Sequence, residues 1–194
     1  MRSRRRWSNR IKLFGAALVV GLLCPMAAAQ EEVPKIYDEQ ADAKAEIARA
    51  VAKAKKDNKR VLVVYGGNWC HWCHKLHDAF KKNRSIARTL QFEYEVVRVD
   101  IGRFDKNLDI AEGYGAQIKS GVPYLTVLGG NGKVLTNQET GSLEKDGLHD
   151  PDLVGKFLDK WKAKPWDAED VYQEALSRAK KEKKRLLLHL GAPW

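Results

Sequence analysis

The sequence predicts an α/β protein, a central mixed sheet with helices on both faces. Three observations carry that prediction. Short β-branched apolar runs alternate with helical stripes. A glycine-rich turn, Gly129-Gly130-Asn131-Gly132, then joins two neighbouring strands as a hairpin. A helix with its own start signal, Asp150-Pro151-Asp152, closes the set.

In chain order, residues 38–56 read as a helix rich in Ala, Lys and Glu, with Ile47, Val51 and Ala54 on one face. Asp57-Asn58 ends it, and Val61-Leu62-Val63-Val64-Tyr65 is short, apolar and β-branched, as a buried strand is. Gly66-Gly67-Asn68 breaks the strand. A second helical stripe runs from Cys70 to about Lys82 through Leu76, Ala79 and Phe80. Residues 92–99 read as a strand and 109–114 as a short helix. Residues 124–128 and 133–137 are the hairpin strands. The last helix turns Leu153, Val154, Phe157, Leu158 and Trp161 inward.

The two ends of the chain read differently from this middle. Arg2, Arg4, Arg5, Arg6, Arg10 and Lys12 form a basic head, an apolar stretch follows over residues 13–23, and Ala27-Ala28-Ala29 offers small residues. That order is the layout of a secretory signal peptide, expected over residues 1–29 and followed by a linker over 30–37. The apolar run falls short of the ~20 residues a membrane span needs, so no stable span is expected after cleavage. The leader holds six of the chain's 35 basic residues and none of its 25 acidic ones. Its removal brings the net charge from +10 down to +4, a surplus too small to argue for nucleic acid. At the other end, residues 167–194 align without gaps on 42–69 at a shift of 125. Asp167-Ala168 falls on Asp42-Ala43, Ala179-Lys180-Lys181 on Ala54-Lys55-Lys56, Lys184-Arg185 on Lys59-Arg60, Gly191 on Gly66 and Trp194 on Trp69. A helix is expected there to feed a strand over 186–190. Residues 164–194 are expected to be the truncated start of a second unit of the same kind, in a fragment of a tandem-domain protein.

Cleavage would also remove Cys24, leaving Cys70 and Cys73. A disulfide closing so short a loop restrains the unfolded chain little, so reactivity explains the pair better than stapling. Two cysteines three apart in the first turn of a helix share a face. The first stands where unpaired N–H groups and the helix dipole favour a thiolate, the attacking species. Cys73, one turn further in, is expected to be more shielded and to resolve the mixed disulfide that Cys70 forms with a substrate.

Trp69-Cys70-His71-Trp72-Cys73 after an apolar strand, with Gly121-Val122-Pro123 before a later one, resembles the thioredoxin superfamily over residues 38–163. The resemblance implies a thioredoxin fold and a thiol–disulfide oxidoreductase. It implies that Pro123 is cis and, with Val122, shapes the groove for an extended substrate segment, while Trp69, His71 and Trp72 border the pair. Two departures stand out. Many thioredoxins carry on the first strand a buried acid that helps move the resolving thiol's proton; here that position is Val64, and Tyr65 beside it offers none. The dipeptide between the cysteines is His71-Trp72 rather than Gly-Pro, and a cationic His71 would stabilise the thiolate and make the pair more oxidising.

The expected partners are thiol- or disulfide-bearing protein substrates and a second thiol protein that supplies or takes electrons, in a periplasmic or secreted setting. No dissociable cofactor and no metal is implied. Three other readings of the same residues stay open. Cys70-His71-Trp72-Cys73-His74 is literally a c-type haem attachment motif, though the only methionines, Met1 and Met26, lie in the leader. Cys70, Cys73, His74 and His77 have a spacing that could meet on zinc, but without the second ligand segment a structural site uses. The domain could also be a redox-inert binding module.

Overall fold

The computed structural model describes residues 34–189 and 191; the leader predicted over 1–29 lies outside the described residues. Helix α1 (Ala43–Asp57) starts later than the sequence reading because Asp42 is its cap, its carboxylate accepting from the Ala45 N–H at 3.0 Å. Asn58 ends it in the left-handed region, at φ 51°. Strand β1 (Arg60–Gly66) follows, then α2 (His71–Lys82).

Residues 84–93 form a further helix, α3 (Arg84–Glu93), capped by Asn83, where the sequence reading had a gap and then a strand from 92. Strand β2 (Tyr94–Asp100) begins only where it can pair, with Tyr94 opposite Arg60. After it come α4 (Leu108–Gly113), β3 (Tyr124–Leu128) and β4 (Val134–Glu139). A two-residue hairpin that the sequence reading lacks, β5 (Glu144–Lys145) with β6 (Leu148–His149), precedes α5 (Pro151–Trp161).

The four-stranded sheet has the order β2-β1-β3-β4, with β1 parallel to β2 and antiparallel to β3, and β4 antiparallel to β3. It is therefore mixed, as predicted. Alternation along β1 divides the core. Val61, Val63 and Tyr65 pack with Ile47 and Ala54 of α1 and Ile110 of α4. Leu62 and Val64 pack on the other face with Leu76, Phe80, Ile86, Leu90, Val154 and Leu158 from α2, α3 and α5. Every residue from Val61 to Gly66 is buried. The strand thus holds the start of α2 against a rigid centre.

Beyond α5, α6 (Ala168–Lys181) is capped by Asp167 and buries none of its residues. Residues 184–189 form no strand, contrary to the sequence reading, and Leu187 is 89% exposed. A lone apolar run has no neighbour to take its backbone N–H and C=O groups, so propensity alone does not make it a strand.

Candidate active site

Gly66 ends β1, and the turn Gly67-Asn68-Trp69 delivers Cys70 to the cap position of α2 with extended backbone. The Cys70 N–H donates to Gly67 O at 3.0 Å, closing the turn. Cys70 and Cys73 are joined in a disulfide, with Cα atoms 5.2 Å apart. Cys70 Sγ accepts from the Cys73 N–H at 3.1 Å, so it takes the place an oxygen fills in an ordinary N-cap. Cys70 is 5% exposed and Cys73 2%.

A second loop meets this one from 52 residues away. The Val122–Pro123 bond is cis, and Val122 O stands 3.5 Å from Cys70 Sγ. Thr140 Oγ1 donates to Pro123 O at 2.8 Å and fixes the loop. Trp72, Val122 and Pro123 together line a cleft of about 270 Å³. Five of the seven residues singled out from sequence therefore converge: Cys70, Cys73, Trp72, Val122 and Pro123. Trp69 turns aside, donating its indole N–H to Gly102 O and tilting against Phe104 at 5.8 Å. His71 is exposed at the first position of α2.

Trp72 is held from behind by a residue no local pattern announced. His149 of β6, 4% exposed, meets the Trp72 ring edge-on at 5.5 Å. Its Nε2 lies 3.3 Å from Trp72 O; a carbonyl only accepts, so Nε2 carries the proton and Nδ1 is bare, buried and unpartnered. Lys75 Nζ sits 4.0 Å over the Trp72 ring and donates to Gly147 O. Burial lowers the His149 pKa, with Lys75 adding to the effect and the bond to Trp72 O opposing it. Burial and Arg98 lower that of His77 as well. An imidazole held neutral in the folded state binds fewer protons than in the unfolded one. Its contribution to stability is complete above about pH 6.5 and is lost as pH falls from there through the lower folded value. Urea midpoints are therefore expected to drop between about pH 7.5 and 5. His149→Gln, which keeps a donor for Trp72 O but cannot titrate, flattens that drop; an unchanged slope would count against His149.

Two of the three histidines of α2 are occupied elsewhere. His74 Nε2 donates to Asn68 O at 2.8 Å, and His77 Nδ1 accepts from Arg98 at 3.3 Å. Among the described residues no three His, Cys, Asp or Glu side chains converge as a metal site requires.

Sequence reasoning also missed Tyr37 and Asn68. Tyr37, assigned to a linker, is 3% exposed and packs with Cys70 and Cys73. Asn68 Oδ1 accepts from the N–H groups of Ile36 and Tyr37, each at 2.9 Å, and its Nδ2 donates to Tyr37 O at 3.0 Å. Two apolar residues are too few to show a period, so nothing in the local pattern marked this segment.

With the geometry in place, three comparisons bear on it. Residues 42–130 match a family described as thioredoxin-like. A disulphide isomerase of known structure from Xylella fastidiosa Temecula1 is 31% identical, over 66% of this chain and 97% of that one, with a TM-score of 0.58. Spermatogenesis-associated protein 20 is 37% identical over 51 residues in its Homo sapiens form and 39% in its Mus musculus form. Each of those matches spans 26% of this chain and 6% of the relative's length.

Proposed function

This chain belongs to the thioredoxin-like family of thiol–disulfide oxidoreductases, and from that premise we propose that it is exported and exchanges disulfides with protein substrates. One observation carries the reading: two sulfurs paired across the first turn of α2, with the carbonyl of a cis-proline loop against the outer one. Cys70 is the nucleophile and Cys73 the resolving thiol. Trp72, Val122 and Pro123 line the groove for an extended client segment, while Trp69 and His71 flank Cys70 in the chain. The partners are client proteins with thiols or disulfides and a second thiol protein. The name of the Xylella relative, a disulphide isomerase, favours rearrangement of client disulfides as the work done.

The test is release of thiols from insulin by the reduced protein, followed over time; absence of release above the uncatalysed rate overturns the reading. With His71-Trp72 between the cysteines in place of Gly-Pro, the pair is expected to be more oxidising than thioredoxin, and equilibration with glutathione to return a potential above about −270 mV. A value at or below that figure removes the role given to His71. Export through residues 1–29 is checked by the mass of the protein recovered outside the cytoplasm, expected to begin at Gln30.

We infer that residues 164–194 are the start of a second such unit, since their sequence repeats that of the first. Ala168, Tyr172, Leu176 and Ala179 of α6 stand at the positions of Ala43, Ile47, Val51 and Ala54 of α1. Three of those α1 residues are buried against the sheet, whereas α6 buries none. An amphipathic face without its sheet supports the reading of a second such unit.

A further inference from the structure

The acid that many thioredoxins place behind the resolving cysteine has no counterpart on β1. Val64 fills that position and belongs to the apolar cluster with Leu62 and Leu76. The wall of Cys73 is built from elsewhere. A Cβ on Gly66 would stand 2.5 Å from Cys73 Sγ and 2.8 Å from Tyr37 Cζ, and closer still to the Tyr37 hydroxyl. Sulfur and hydroxyl therefore border the same small space, the one that Gly66 leaves open. Tyr37 cannot easily leave it, because Asn68, two residues before Cys70, ties the Tyr37 backbone to the redox turn.

Resting on the exchange reading above, we propose that Tyr37 is a positioning residue for the resolving step, its hydroxyl donating a hydrogen bond to the Cys73 sulfur once the disulfide opens. In the mixed disulfide, Cys70 is bonded to the client's sulfur and Cys73 is a thiol. Cys73 gives up its proton and attacks Cys70 Sγ, and the bond between Cys70 and the client breaks. The client sulfur leaves with the electron pair and takes up a proton, so the client is reduced and the Cys70–Cys73 pair oxidised. Tyr37 is unchanged at the end. A donor aimed at the attacking sulfur stabilises its thiolate, as a hydrogen bond to any charged group does. Burial, the largest influence, raises the Tyr37 pKa above its ordinary range, so the hydroxyl keeps its proton to donate.

The charged groups around this space come from β2, from the loop after it and from α2. Strand β2 contributes Arg98 and Asp100, the latter in register with Gly66, 5% exposed and with its Oδ2 unpartnered by any hydrogen bond. Lys106 Nζ approaches that oxygen at 3.7 Å. Helix α2 contributes His74 and His77, bonded to Asn68 O and Arg98.

The experiment uses the reduced chain carrying Cys24→Ser, so that only two thiols report, and mixes it with the aromatic disulfide dithionitrobenzoate. The first thionitrobenzoate released marks attack by Cys70; the second marks resolution by Cys73. Tyr37→Phe, which keeps the ring and removes only the hydroxyl, is expected to leave the first phase unchanged. It slows the second about ten- to a hundredfold near pH 7 and moves its pH profile upward. Asn68→Ala, which frees the Tyr37 backbone, slows the second phase in the same direction and serves if Tyr37→Phe does not fold. A second phase equal to the parent's across the pH range in a folded Tyr37→Phe protein, or in Asn68→Ala where that variant stands in, overturns the proposal. Failure of the parent chain to release any thionitrobenzoate defeats the exchange reading instead.

Discussion

Cys70→Ser is expected to lower insulin reduction by about a thousandfold or more, while Cys73→Ser gives an enzyme that attacks once and stops. The two residues are equivalent in sequence pattern, and their surroundings make them unequal. Cys70 caps α2, where its sulfur already accepts a backbone N–H, and the Val122 carbonyl beside it opens toward the cleft lined by Trp72. Cys73 is 2% exposed against 5% for Cys70, and Tyr37 stands beside its sulfur at Gly66, which supports the proposal that the client meets Cys70 first. Serine is among the best N-cap residues, which means that Cys70→Ser keeps the start of the helix and its loss is chemical. The hydroxyl stays protonated where the thiol ionises, so no nucleophile forms. In Cys73→Ser the mixed disulfide persists, visible as client-sized adducts on non-reducing gels. Equal trapping by both single variants, or trapping by Cys70→Ser alone, would reverse or abolish the assigned roles. A redox-inert binding module predicts no effect of either variant on client capture.

How much of this was legible beforehand follows from the range over which each feature is encoded. Strand β1 was readable because five apolar, mostly β-branched residues sit side by side. The hairpin of β3 and β4 was readable from its glycine turn, and α5 from Asp150-Pro151. Helix α3 was missed although Ile86 and Leu90, one turn apart, form its buried stripe and Asn83 its cap. Phe92 beside the Tyr94 strand drew the strand reading backward, and only pairing with Arg60 fixes where β2 begins. The hairpin of β5 and β6 has two residues per strand, too few for any alternation to register. In the site, the cysteines, Trp72 and the Val122-Pro123 loop could be named because their chemistry is carried in short motifs. Tyr37, Asn68 and His149 make their contacts across 31 to 77 residues of chain, through a backbone, an amide and an imidazole placed by the fold. Periodicity reports which face of an element is apolar; it carries no information on which distant polar group meets that face.

Gly66→Ala is the sharpest test of how these pieces depend on one another, with an expected loss of about 1–3 kcal/mol in folding stability from overpacking. The backbone of Gly66 asks for no glycine, since its φ lies outside the left-handed region; space alone selects the residue. The added methyl overlaps Cys73 Sγ and the Tyr37 ring, and both side chains are buried. The strand cannot back away, because Gly66 is paired with Asp100 and its carbonyl accepts from the Ile101 N–H at 2.9 Å. Helix α2 cannot yield readily either, with Leu76 and Phe80 locked in the core. Relief must come from Tyr37, whose hydroxyl is the atom nearest the new methyl. Removing that oxygen therefore restores part of the space, and Gly66→Ala should cost less in a Tyr37→Phe background than in the parent. Urea unfolding of the four proteins in the cycle measures the coupling, expected to be about 0.5 kcal/mol or more for residues in contact. Strict additivity would mean that the hydroxyl does not occupy the space beside Cys73, and the role assigned to it in the resolving step would lose its geometric basis.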